Sequence, residues 1–299
     1  LATSEQALAD AAAAFLAQPS LARSTRRSDD PTLTRLVREL GGDRPLSTLT
    51  VEGVTTAWGG RAPATWNRQV ATVRSFLEFC RRRRWLVDDL TVDLERQPEP
   101  ADRTKAIPLP ELERLWRRDT IGVREKALWR LLYETAARAS EALAINVEDL
   151  DLDNKRVRVR SKGGDTDWLH FQTGSAQLLP RLIGGRTRGP LFLADRRPVP
   201  ARAPATIDRC PDTGRGRLSY RRAEALFREA SDGWTLHQLR HSALTHLAEQ
   251  DVSLPLLMAK SRHASLRSLQ RYARPGAEAV AAMTAATDPA RRRDPGGLE

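Results

Sequence analysis

HQLRHSALTHL, residues 237–247, places three histidines and an arginine in eleven positions. His237 and His241 are four apart, so on a helix they share one face. Two chemistries compete for this pattern. A zinc site of the His-Glu-x-x-His kind needs a glutamate directly after the first histidine, and here that position is Gln238. His246 falls five residues past His241, off their shared face, and no cysteine is close, so a third ligand would have to come from elsewhere. A phosphate site needs only His237 and Arg240. They are three apart near the start of the helix, just after Trp234 and Thr235, where backbone N–H groups already favour an anion. His241 and His246 then default to packing or hydrogen-bonding roles.

The segments around this stretch are mostly helical. Apolar periodicity predicts helices over 4–17, 50–58 and 64–85 in the first third of the chain. Asp30-Pro31 reads as an N-cap followed by a first-turn proline, starting a helix that Gly41-Gly42 ends. In ATWNRQVATVRSFLEFCRRRRW, Trp66, Val70, Val73, Leu77 and Cys80 step by four, three, four and three, a buried stripe. Arg74 and the run Arg81 to Arg84 lie beside or beyond it. QPEPADRTKAIPLP, 97–110, is a linker by composition. Beyond it, helices are predicted near 110–118, 123–138, 174–183, 218–231, 235–250, 253–260, 265–272 and 276–286. KRVRVRS and TDWLHF read as two strands joined by a turn at Ser161 to Asp165. Asp149, Asp151 and Asp153 alternate with apolar residues before the first strand and read as turn residues rather than a two-metal cluster. Residues 195–216 read as a long loop rich in Pro, Gly and Arg.

The expected class is therefore mainly α with a small β-sheet (α+β). The expected boundaries are a helical domain at 1–98, a linker at 99–109, a second domain at 110–288 and a flexible tail at 289–299. The 299 residues suffice for two cores. No apolar run approaches the length of a membrane span, and the Ala-rich start, carrying Glu5 and Asp10, does not resemble a secretory leader. Cys80 and Cys210 form neither a metal motif nor a disulfide framework, so a reducing cytoplasm is expected. Cys80 reads as a small core residue.

Net charge is +11, and 44 of the 49 basic residues are arginine. Arginine grips phosphate in a planar fork, whereas lysine acts as a point charge. The first 98 residues hold 14 basic and 12 acidic side chains, so +9 of the +11 lies beyond them. A GC-rich genome would explain arginine over lysine, but not the excess of basic over acidic residues. That excess points to nucleic acid or an acidic surface.

His237-Gln238-Leu239-Arg240-His241 resembles the HxLRH motif of tyrosine recombinases, the phage-integrase and Xer-type enzymes. The family's other motifs follow in order. TAARASEALAINVEDLD, 135–151, resembles the segment of the first catalytic arginine, at Arg138. Lys162 stands at the β-hairpin turn where the family has its lysine. RHASLRSLQRYARP, 262–275, resembles the segment with a histidine, His263, and nine residues later the nucleophilic tyrosine, Tyr272. The first domain resembles the family's helical core-binding domain. Two positions depart: Ala136 and Arg262 stand where the family usually has glycine. Ala136 is expected to sit in right-handed backbone; Arg262 puts a bulky charge where the backbone is normally tight.

The resemblance implies a site-specific recombinase that encloses DNA in a C-shaped clamp. It implies a covalent 3′-phosphotyrosyl intermediate formed without metal, ATP or other cofactor. The implied catalytic residues are Arg138, Lys162, His237, Arg240, His263 and the nucleophile Tyr272, with Glu141 orienting Arg138. Arg68, Arg74 and Arg81 are candidates for contact with the DNA backbone. The implied partners are double-stranded DNA and three further protomers, identical or from a paralogue, in the cytoplasm near the nucleoid. Residues 276–289 would form a helix that docks on a neighbour or packs on its own domain. Two alternatives remain: a DNA-binding protein with a degenerate site, and a DNA-relaxing enzyme of type IB. Of the other tyrosines, Tyr133 reads as core, and Tyr220 as core or a DNA contact.

Overall fold

The computed structural model describes residues 6–58, 60–100, 106–160, 166–250 and 252–262, together with Leu269, Thr284 and Ala285. Lys162, His263 and Tyr272 lie outside the described residues, as do the expected turn at 161–165 and nearly all of the two helices expected after 264. The chain divides into two compact units, Leu1–Asp102 and Arg103–Glu299.

The first unit is helical. It comprises α1 (Leu8–Leu16), α2 (Arg23–Leu40), α3 (Val51–Thr56) and α4 (Pro63–Arg82). Pro63 opens α4, where its fixed φ and missing N–H cost nothing. Val70, Val73, Phe76, Leu77 and Cys80 of α4 are buried against Leu8, Phe15, Leu33 and Leu36. Phe15 meets Phe76 and Phe79 edge-on at centroid distances of 5.8 and 5.5 Å. Burial pushes the Cys80 thiol up to about 12, which leaves it an inert core residue. The expected helix start at Asp30-Pro31 is eight residues late, because α2 begins at Arg23 and carries Pro31 inside it. The proline gives up one helical hydrogen bond. A tertiary contact holds the extra turns: the Thr72 hydroxyl on α4 donates to the buried Asp29 carboxylate at 2.8 Å. The segment leaving this unit lies along α4. The Trp66 indole donates to Glu95 O at 3.0 Å, and Asn67 makes reciprocal 2.8 Å bonds with the backbone of Gln97.

The second unit packs helices around a short antiparallel sheet. Its elements are α5 (Leu109–Arg117), α6 (Val123–Thr135), α7 (Ala139–Ala144), β1 (Leu150–Asp151), β2 (Arg156–Arg160), β3 (Thr166–His170), α8 (Thr173–Ile183), α9 (Tyr220–Ala230), α10 (Leu236–Glu249) and α11 (Leu254–Ser261). The strands run in the order β1-β2-β3, with Val157 opposite Leu169 and Arg160 opposite Thr166. Val157, Val159 and Leu169 turn inward while the arginines between them face out, the period-two pattern legible in the sequence. On the outer face the Arg156 guanidinium stacks on Trp168 and pairs with Asp151. α6 is the buried centre: Leu128, Trp129, Leu131 and Leu132 are in the core, and Trp129 meets Phe227 of α9 at 5.1 Å.

The helix expected over 123–138 ends early, and a separate short helix follows it. Instead of running through 138, α6 stops at Thr135. Ala136 turns left-handed at φ +52, and α7 starts at Ala139. The right-handed backbone expected at Ala136 is thus corrected. The Thr135 hydroxyl accepts the Ala137 N–H at 3.2 Å, a local bond that competes with helix continuation. A left-handed alanine costs about 1–2 kcal/mol, so the surrounding contacts must hold it there. The strand β1 and the two 3₁₀ turns in the loop, Pro200–Arg202 and Thr206–Asp208, are also beyond the sequence pattern.

Candidate active site

Arg138 is the N-cap residue of α7. Its backbone N–H donates to Glu141 Oε2 at 3.0 Å, and its Nη1 donates to Glu141 Oε1 at 2.9 Å. One carboxylate thus caps the helix and aims the guanidinium, whose side chain stays 46% exposed. The pairing expected three residues along a helix is present, but it spans a helix start rather than a continuous helix. The other end of this short helix is held too. Arg217 donates to Leu143 O and Ile145 O, both at 3.0 Å, and to Asn146 Oδ1 at 2.7 Å, while it pairs with Asp208 in the loop. Carbonyls at a helix end lack intrahelical partners, and Arg217 supplies them.

Arg240 lies on α10 and is only 2% exposed. Its Nη1 donates to Ala136 O and its Nη2 to Ser261 O, the latter at 2.6 Å. These two carbonyls lie at two left-handed corners of the unit, those of Ala136 and Arg262 (φ +54). The guanidinium therefore locks the end of α6 to the end of α11. The bulky residue at 262 fits because its backbone takes the conformation that glycine favours, while its side chain reaches across to Glu141. Arg262 Nη2 donates to Glu141 Oε2. The contacts close a ring: Arg240 to Ala136, along the chain to Arg138, across Glu141 to Arg262, then through Ser261 back to Arg240. Burial raises the Glu141 carboxyl pKa, but the Arg138 N–H bond and the two guanidinium groups outweigh it and hold the group below its ordinary value of 4.5.

His237 is exposed in the first turn of α10. Thr235 caps that helix, and Gln238 completes the box by accepting the Thr235 N–H at 2.9 Å. Where a zincin would place its base, this chain therefore uses an amide to start the helix. His241 is buried. His246 Nδ1 and the Tyr133 hydroxyl are hydrogen-bonded at 2.8 Å, and burial lowers the His246 pKa. Tyr133 is half-buried, and Tyr220 is exposed at the start of α9. Asp149 accepts the Asn146 N–H, and Asp151 is engaged by Asn154 and Arg156, so both are occupied locally. A cavity of about 570 Å³ opens beside Glu141, lined also by Asn146, Arg158, Arg160, Ile207 and Arg217.

In the first unit, Arg68 is exposed on α4. Arg74 donates to Leu94 O at 2.6 Å, and Arg81 pairs with Asp89. Sequence reading missed the carbonyl partners of Arg240, the capping role of Arg217 and the contact made by Arg262. It also missed the buried Glu134 carboxylate, which accepts the backbone N–H groups of Gln172 and Ser175 at the start of α8. Only the last left a signal, a glutamate directly after the apolar run Leu131, Leu132 and Tyr133 of α6.

Residues 108–278 match the model of the phage integrase family. The tyrosine recombinase XerC of Rhodospirillum centenum is 32% identical over 247 residues, spanning 78% of this chain and 69% of that protein. The tyrosine recombinase XerD of Mycobacterium leprae is 28% identical over 225 residues, spanning 68% and 69%. The fold is similar to that of the Tn1549 transposon integrase in complex with circular intermediate DNA (TM-score 0.67, 15% identity, 93% of this chain and 99% of that one). It is also similar to that of the lambda integrase tetramer bound to a Holliday junction (TM-score 0.67, 14% identity, 90% and 78%). With its motifs in order, its paired arginines set around one carboxylate and a family match over more than half its length, the chain belongs to the phage integrase family, the tyrosine-type site-specific DNA recombinases.

Proposed function

We propose that Arg138 and Arg240 hold the scissile phosphate of DNA while Tyr272 attacks it. The phenolic oxygen forms a bond to phosphorus and the bond to the 5′-oxygen breaks, leaving a 3′-phosphotyrosyl ester and a free 5′-hydroxyl. His237 takes the phenolic proton or steadies the phosphate, and Lys162 protonates the departing oxygen. The ester is close in energy to the bond it replaces, so a second DNA hydroxyl reverses the step without ATP. Negative charge grows on the non-bridging oxygens in the transition state. Two guanidinium groups and His263 meet it in place of metal ions, and losing one such donor costs about 2.7–4 kcal/mol of barrier. The observation that supports this reading best is the ring of contacts that fixes Arg138 and Arg240 relative to each other through Glu141 and two backbone carbonyls.

The helical unit, residues 1–98, acts as the core-binding domain, with the exposed Arg68 on its long helix as a backbone contact. The chain works as four protomers, identical or paired with a paralogue, on two DNA sites. The setting is the cytoplasm; no helix among the described residues is long and apolar enough to cross a membrane.

The test recovers genomic fragments bound by the protein and offers them back as nicked suicide substrates. Wild type forms a protein–DNA adduct in the presence of a chelator, and Tyr272→Phe forms none. Binding without an adduct from wild type favours a degenerate DNA-binding protein. Relaxation of supercoils without a defined site favours a type IB enzyme.

A further inference from the structure

We infer that Arg262 is a positioning residue of the recombination site, acting on Arg138 through the Glu141 carboxylate; this rests on the assignment of Arg138 to the scissile phosphate. The backbone at Arg262 is left-handed (φ +54), a conformation in which glycine is comfortable and an arginine is not. The side chain is 13% exposed, and its Nε and Nη1 are buried with no hydrogen-bond partner among the described residues. An arginine at this position therefore carries backbone strain and, among the described residues, two donors without a partner. Its one ion pair among the described residues is with Glu141 Oε2, the oxygen that also accepts the Arg138 backbone N–H. The other oxygen, Oε1, aims the Arg138 guanidinium.

Arg262 fixes one oxygen of the carboxylate while Arg138 uses both. With Arg262 present, the carboxylate cannot rotate away without breaking a mostly buried charge-assisted bond. The same bond ties the end of α11, and so the residue directly before His263, to the start of α7. The paired contacts thus hold in register the segment of Arg138 and the segment that leads towards Tyr272. Glycine at 262 would relax the backbone and lose this tie.

The test uses the full chain and the nicked substrates above. Arg262→Gly removes the side chain and relieves the strained backbone, so a loss of activity cannot come from backbone strain. Glu141→Gln removes the shared charge. Cleavage rate constants and equilibrium DNA affinities are measured for wild type, Arg262→Gly, Arg262→Lys, Glu141→Gln and the Arg262→Gly/Glu141→Gln double variant, at a temperature where circular dichroism shows each folded. Arg262→Gly is expected to slow cleavage about tenfold with affinity changed less than about twofold. Arg262→Lys, which keeps a point charge, recovers part of the rate. The double variant cleaves no more slowly than Glu141→Gln alone, because both act through one carboxylate.

Wild-type cleavage by Arg262→Gly overturns the inference. So do losses that multiply in the double variant, or a fall in affinity equal to the fall in rate, which would make Arg262 a plain DNA contact. If wild type itself forms no adduct, the phosphotyrosyl assignment fails, and the inference falls with it.

Discussion

Replacing Glu141 by glutamine should destabilise the second unit at neutral pH by about 3 kcal/mol. Among the described residues the carboxylate has three donors, the Arg138 N–H and the guanidinium groups of Arg138 and Arg262. The pair with Arg138 counts least, because that side chain is 46% exposed and solvent screens it; such pairs are worth about 0–1 kcal/mol. The bond from the Arg138 N–H is a helix cap, worth about 1 kcal/mol, and the glutamine oxygen retains much of it. The pair with Arg262 decides the total. Both side chains are largely buried, at 13% and 10% exposure. Removing one partner of a buried pair costs about 3–5 kcal/mol because the other charge is left uncompensated; the residual exposure puts this case at the lower end. Removing both charges should therefore recover most of the loss, so Arg262→Gly on the Glu141→Gln background restores about 2 kcal/mol. Urea unfolding followed by circular dichroism measures these differences, and hydrogen exchange of the α7 amides localises them.

The pH dependence follows from the lowered Glu141 pKa. The unfolded chain takes up the proton at higher pH than the folded one. The stabilisation is complete above the ordinary carboxyl value of 4.5 and is lost as pH falls through the lower folded value. Glutamine should flatten that limb. An unfolding free energy for Glu141→Gln within about 0.5 kcal/mol of wild type, well inside what a buried pair requires, would refute the reasoning.

Other contacts give independent expectations. Thr72→Val removes the hydroxyl that donates to the buried Asp29 carboxylate; the first unit should lose about 1–3 kcal/mol in urea unfolding, while Thr72→Ser stays near wild type. Burial lowers the His246 pKa below its ordinary 6.5. The unfolded state therefore protonates first, and stability falls as pH drops through 6.5 towards the folded value. His246→Gln should reduce the difference in unfolding free energy between about pH 7.5 and about pH 5.5; an unchanged difference would show that another group sets it.

Sequence and structure agree where the signal is local. The Val70-Val73-Leu77-Cys80 stripe specifies α4, alternation specifies β2 and β3, and Thr235 with Gln238 specifies the start of α10. The pairing of Arg138 with Glu141 was legible from a spacing of three. Two other features were not, because they depend on residues far apart in sequence. Pro31 reads as a helix start until Asp29 is seen to meet Thr72, 43 residues away. Ala136 reads as helix interior until its carbonyl is seen to receive Arg240, 104 residues away. Propensity alone assigns an alanine or an arginine to right-handed backbone. The left-handed corners at Ala136 and Arg262 become visible only once long-range contacts hold them.

Mass spectrometry of the trapped adduct tests the central claim most directly. Wild-type protein reacted with a nicked substrate in chelator is digested with protease and nuclease, and the nucleotide-bearing peptide is sequenced. The expected result is one modified peptide, carrying a phosphodiester on Tyr272 joined to the 3′ side of the cleaved strand. A nucleotide on any other residue, or cleavage that requires a divalent metal and leaves no protein-linked phosphate, would contradict it.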